Sequence, residues 1–178
     1  MKKIVTIKEK GVYSSKRLGQ GLKVEAYFLK YAFPCAFITL QRGAIDLKTY
    51  KMLERAAVKG ESLPRSMLEK VFAAADRRMD ILVKEQGYEK WSMKLVRDYY
   101  WKWHDRFIKD GEGSYGFAPE IIKELCRVLP GTVVKVGKET AVVKLKGGKV
   151  RPVMTLLVGA LKKGDKVMVH YGYACEKL

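Results

Sequence analysis

The sequence predicts an α+β protein: an N-terminal bundle of three to four helices followed by a small OB-like β-barrel. Two changes along the chain carry this. Through residues 20–109 apolar side chains recur every three to four positions, the spacing of one helix face. From residue 130 onward the period falls to two, and short β-branched runs alternate with glycine-containing turns. A glycine-rich stretch at 110–120 separates the two regimes.

The first helix is predicted in "GLKVEAYFLKYAF", and Pro34 must end or turn it, because proline offers no N–H and its ring crowds the preceding turn. Asp46 is placed to cap a second helix, whose Leu47, Tyr50, Leu53 and Ala57 share a face and which Gly60 stops. Ser62 opens a third, with Leu68, Val71, Phe72, Ala75, Met79 and Leu82 in its stripe and Gly87 at its end. The fourth runs through "KWSMKLVRDYYWKWHDRFIKDG" on Leu95, Val96, Tyr99, Trp103 and Phe107. Trp101 falls off that stripe, where ordinary packing and an interface with the barrel or a partner are both open readings.

"DGEGSYGFAPE" holds Gly111, Gly113 and Gly116 in a formal GxGxxG. A dinucleotide fingerprint needs a strand before it and a helix N-terminus facing phosphate. Here a helix precedes it, and Asp110 and Glu112 would repel an anion, so the stretch reads as a linker. Pro119 suits the first turn of a short helix, "PEIIKELC". Strands follow in "GTVVKV", "ETAVVKLK", "KVRPVM" and a last one, "KVMVHYGY". Short strands joined by tight turns predict a closed or nearly closed barrel of OB or SH3-like type. The predicted organisation is a helical domain at 1–110, a linker and short helix at 111–125, and the barrel at 126–178. Cys126 stands at the seam.

Composition sets the class. With 48% apolar and 31% charged residues the chain of 178 is that of a folded globular protein. No apolar run approaches the ~18 residues of a membrane span. The basic start "MKKIVTIKEKG" lacks the apolar stretch of a signal peptide, so no secretory leader is expected. Cys35, Cys126 and Cys175 are odd in number and far apart, which argues against a disulfide framework or a zinc motif and for a reducing cytoplasm. Net charge is +17, and residues 126–178 carry 11 Lys/Arg against 3 Asp/Glu. Such a surface suits acidic partners, whether nucleic acid, an acidic protein or a metal-complex anion, or is simply a solvated face. Asparagine is absent and glutamine occurs three times, a composition that fits a thermophile.

The chemistry-bearing residues fall into one ordered pattern. Cys126 is followed by Pro130-Gly131 and Val133, then Ala141-Val142-Val143, Leu157-Val158-Gly159, a Gly164-Asp165 turn with Val167, and a closing His170 with Gly172 and Ala174. In this pattern residues 126–178 resemble the HypC/HupF family of hydrogenase maturation chaperones. In that family the cysteine follows the initiator methionine, whereas here 125 residues precede it. The resemblance implies an OB-like barrel acting as a non-catalytic scaffold. Together with a HypD-type scaffold protein it would carry iron bearing cyanide and carbonyl ligands to a [NiFe]-hydrogenase large-subunit precursor. The iron is transient cargo, so no stably bound cofactor is implied. Carried over, Cys126 is the ligand to iron or the partner and His170 assists, while Arg127, Pro130 and Gly131 lie on the partner-binding surface.

A thiolate suits low-spin iron(II) with cyanide and carbonyl. Arg127 and nearby lysines would lower the Cys126 pKa, and the C-terminal dipole of the preceding helix would oppose them. If Val167 and Val169 face the barrel interior, Met168 and His170 face outward. That predicts a surface histidine, able to ligate iron or to donate to a cyanide nitrogen. Cys35 reads as core, His104 as edge of core, and Cys175 as a packed thiol. The alternative function is a basic nucleic-acid-binding module, although the barrel's aromatics are only Tyr171 and Tyr173. No orienting acid or oxyanion hole stands at recognisable spacing from Cys126 and His170, so no catalytic residue is assigned.

Overall fold

The computed structural model describes residues 21–178, and the N-terminal run "MKKIVTIKEKG" lies outside them. Helix α1 (Val24–Ala32) meets Pro34 inside a single 3-10 turn, Phe33–Cys35, after which the chain resumes as α2 (Ala36–Gln41). Pro34 therefore turns the helix without ending it, and Cys35 sits at the corner. Helix α3 (Leu47–Lys59) is capped as its sequence predicts. The Asp46 carboxylate accepts from the Thr49 N–H at 2.7 Å, and Gly60 closes the helix at φ 67°.

The single helix expected from Ser62 is instead two, α4 (Arg65–Val71) and α5 (Ala73–Gln86), which ends at Gly87. Pro64 precedes α4, and Phe72 breaks the pair at φ −111°, ψ 42°. The Ser62 hydroxyl lies 3.3 Å from the Glu25 carboxylate, so it caps nothing. Helices α6 (Met93–Asp98) and α7 (His104–Lys109) are joined by a π-turn at Tyr99–Trp103. A π-turn carries more residues per turn than an α-helix, and such bulges often occur at functional positions. Here Tyr99, Tyr100 and His104 are all buried. Trp101 is half-buried, and its indole donates to the Tyr31 hydroxyl at 2.8 Å, so its polar end is met within the chain. The GxGxxG stretch folds as a 3-10 turn at Gly113–Gly116 between α7 and α8 (Glu120–Cys126), with Tyr115 buried and Glu112 gripped by Arg77 and Arg78.

Five strands follow: β1 (Val128–Val136), β2 (Thr140–Leu145), β3 (Val150–Met154), β4 (Lys166–His170) and β5 (Tyr173–Lys177). The fifth was not foreseen in "KVMVHYGY". The strand stops at His170 because Tyr171 adopts φ 54°, and the chain turns back to pair antiparallel with β4. The order is β1-β2-β3-β5-β4, with β4 returning to β1, so the sheet closes on itself.

Alternation along these strands separates two faces. Val133, Ala141, Val143, Leu145, Val153, Val167, Val169 and Ala174 pack together inside the sheet. Val128, Met168 and Cys175 point the other way and join the helical core with Tyr31, Leu53, Leu95 and Tyr100. One apolar cluster thus spans the helices and the outer face of the sheet. Glu176 is pinned at this seam, accepting from the Tyr27 hydroxyl at 2.8 Å and the Tyr31 hydroxyl at 2.6 Å.

Candidate functional site

Cys126 is the last residue of α8, and the chain passes from it almost directly into β1. It is 3% exposed. The carbonyls that end α8 would place negative potential near the thiol, but Arg151 from β3 occupies that end. Its guanidinium donates to the Glu124 carbonyl at 3.2 Å and the Tyr171 carbonyl at 3.0 Å. Arg127 does something different from what its position suggests. Its side chain donates to Asp105 at 2.8 and 2.9 Å and lies 3.8 Å from Glu124, so its charge is spent on carboxylates.

The Cys126 thiol is nonetheless held below its usual value. The Cys35 thiol is the main cause. The Tyr115 hydroxyl and the Arg78 and Arg151 charges add to it against the opposing effect of burial. Cys35 is pushed well up by Cys126, then by burial.

His170 corrects the sequence reading. It points out of the sheet, as alternation from Val167 and Val169 requires, yet it is 1% exposed because the helices cover that face. Its Nδ1 lies 2.7 Å from the Tyr31 carbonyl oxygen. A carbonyl only accepts, so Nδ1 carries the proton and Nε2 is bare. Nε2 stands 3.8 Å from the Cys35 sulfur. Burial lowers the imidazole to about 4, so it is neutral near pH 7. A bare, neutral Nε2 can ligate or accept, but it cannot donate to a cyanide nitrogen.

These side chains open onto one cavity of about 360 Å³ at the seam between helices and sheet, walled by Cys35, Arg78, His104, Tyr115, Cys126 and His170. Residues 71–75, where α4 breaks from α5, form another part of the wall. Its volume falls in the ~300–1,000 Å³ range of small-ligand pockets. Arg78 is buried, bound to Glu112, with its guanidinium 4.4 Å from the Tyr115 ring centre. His104 is 3% exposed, and its ring is 5.2 Å from that of His170. Its Nε2 is 3.4 Å from the Tyr115 hydroxyl, while its Nδ1 is buried with no hydrogen-bond partner among the described residues.

Cys35 is the residue that sequence reasoning missed. It is half-buried on the cavity wall, and its only local signal was its place directly after Pro34 at a bend. Cys175 is fully buried and pushed up to about 12 by that burial, a packed thiol. Pro130 and Gly131 lie on β1, away from the cavity wall. Gly131 faces β2 so closely that a Cβ would run into the Val143 methyl and lie 3.0 Å from the Lys144 carbonyl oxygen. Tyr173 sets its ring against Phe33 at 5.7 Å, and Tyr171 packs beside Cys126, so neither is a free stacking surface.

Among the described residues no group of three or more His, Cys, Asp or Glu is placed to hold a metal ion. No helix among them is long and apolar enough to cross a membrane. No curated protein matches the chain. The segment that supplies Cys126 and His170 does have a known relative: residues 125–178 match the sequence model of the HupF/HypC family, a family of hydrogenase-maturation chaperones.

Proposed function

We propose that the protein is a HypC-like metal-centre assembly chaperone. It holds an iron(II) unit bearing two cyanides and one carbonyl and hands it to a [NiFe]-hydrogenase large-subunit precursor, together with a HypD-type scaffold protein, in the cytoplasm. The closed sheet serves as an OB-like scaffold, and no catalytic step is assigned to the chain. Cys126 binds the iron or the partner and His170 assists.

The observation that supports this reading most directly is that Cys126 and His170, the two residues singled out by the resemblance, line one cavity. Low-spin iron(II) takes six donors, and the diatomic ligands fill half of them. Such cargo asks little of the protein beyond a soft sulfur. A bare ion would need more donors. A depressed Cys126 thiol favours the thiolate that iron requires. Both side chains are buried, so cargo enters through the cavity and not at an open face.

The test is anaerobic purification with a HypD-type partner, followed by infrared spectroscopy in the cyanide and carbonyl region. The wild-type complex should show both sets of bands, and Cys126→Ala should lose them. Undiminished bands in Cys126→Ala would sink the assignment.

A further inference from the structure

Most of the cavity wall comes from outside the matched segment, and a sulfur from the helices lies close to His170 Nε2. Cys35 Sγ is 3.8 Å from that nitrogen, on the same wall set as Cys126. Cys35 is held at the corner that Pro34 makes between α1 and α2, and the carbonyl of Tyr31, one turn earlier, fixes the His170 ring. The backbone that positions Cys35 and the hydrogen bond that aims His170 are thus one structural unit.

A second observation asks for an occupant. His104 Nδ1 is buried on the same cavity without a partner among the described residues, and a buried polar atom left unmet is costly. The other orphaned buried atoms, on Asp76 and Asp98, each have a lysine ammonium within 4 Å. His104 has none. A group with polar ends reaching into the cavity would meet that atom.

We infer that Cys35 and Cys126 together form a two-thiolate site, internal to this one chain, for a soft metal centre that arrives with its own small ligands. This rests on the cargo reading above and adds to it a second sulfur, taken from the helices and not from a partner protein. The donor set decides the class. Two sulfurs, with no further His, Cys, Asp or Glu among the described residues placed to complete a group of three, cannot make the closed tetrahedral shell of structural zinc. They are enough for a centre whose remaining positions are already filled. On binding, each sulfur gives an electron pair to the metal, two labile ligands such as water leave, and two thiol protons go to solvent. The metal keeps its oxidation state. Arg78 and Arg151 stand near the pair to offset the added negative charge.

The experiment uses the 178-residue chain, anaerobic and reduced, with a synthetic iron(II) dicyanide monocarbonyl salt whose other ligands are labile. Retention after desalting, the C–O and C–N stretching bands, and the alkylation rate of each cysteine by iodoacetamide are measured for wild type, Cys35→Ser, Cys35→Ala and Cys126→Ala. The inference predicts one iron per chain in wild type and slowing of alkylation at both Cys35 and Cys126 by at least tenfold. It also predicts loss of most retained iron, or a shifted C–O band, in each single variant. Alkylation protection is read on the wild-type chain, so it stands even if a variant folds poorly. Iron retained by wild type with Cys35 alkylated at its free rate, and bands unchanged in Cys35→Ser, would overturn the second thiolate while leaving the cargo reading intact. No retention by wild type would overturn both.

Discussion

The Nδ1 of His170 and the carbonyl oxygen of Tyr31 lie 2.7 Å apart, joining the end of β4 to the first helix. This bond fixes the tautomer, buries the ring and leaves Nε2 facing Cys35. It also makes the imidazole a cost at low pH. Above pH 6.5 it is neutral in the folded and the unfolded chain and contributes nothing to the pH dependence. As pH falls from 6.5 toward about 4, the unfolded chain takes up a proton that the folded chain refuses, so stability falls. The loss is about 3 kcal/mol in all, and it levels off for this group below its folded value. His104, held well below its usual value by burial, acts in the same direction. Urea titrations at several pH values between 7 and 4.5 should show the decline. His170→Asn, whose amide can still donate to Tyr31, should flatten it by about one proton. Equal slopes in the two proteins would show that His170 is not the group responsible.

The depression of Cys126 has assignable causes, and they can be separated. Cys35→Ala should move the pH–rate profile of Cys126 alkylation upward, because the main cause is removed. Arg78→Met should move it in the same direction by less. Arg127→Met should leave it in place, because that guanidinium is bound to Asp105. Peptide mass spectrometry after timed iodoacetamide exposure reads all three. A shift from Arg127→Met as large as that from Arg78→Met would contradict the geometry.

Glu176 accepts from two buried tyrosine hydroxyls where helices meet sheet. Glu176→Ala leaves both without an acceptor and should cost about 2–4 kcal/mol. Glu176→Gln keeps an acceptor oxygen and should cost about half as much. Thermal or urea unfolding measures both. A Glu176→Ala loss under 0.5 kcal/mol would mean the tyrosines find water instead.

Gly131 has no room for a side chain between β1 and β2. Gly131→Ala should destabilise by about 1–3 kcal/mol through overpacking against Val143 and Lys144. Its effect should appear in unfolding midpoints and not in the alkylation rate of Cys126. A change in Cys126 reactivity with stability unaltered would instead place Gly131 in the site.

How much of this was legible beforehand differs by element. The Asp46 cap, the Gly60 and Gly87 stops and the turn at Pro34 follow from local backbone chemistry, which a short window of residues contains. The break at Phe72 involves neither glycine nor proline, and no local rule marks it. The fifth strand was hidden because Tyr171 at φ 54° ends β4 inside a run that reads as continuous strand.

The sequence pattern alone shows which residues share a face. Period two set Val167 and Val169 against Met168 and His170, and the ordered pattern from Cys126 to Ala174 marked the segment that matches a known family. It could not say what lies against each face. The packing of distant segments settled that the outward face of β4 is covered by helices, that Arg127 is occupied by Asp105, and that Cys35 lines the same cavity as Cys126. Periodicity records how a segment divides polar from apolar. The partner across a seam depends on how distant segments pack, and no short stretch of residues encodes that on its own.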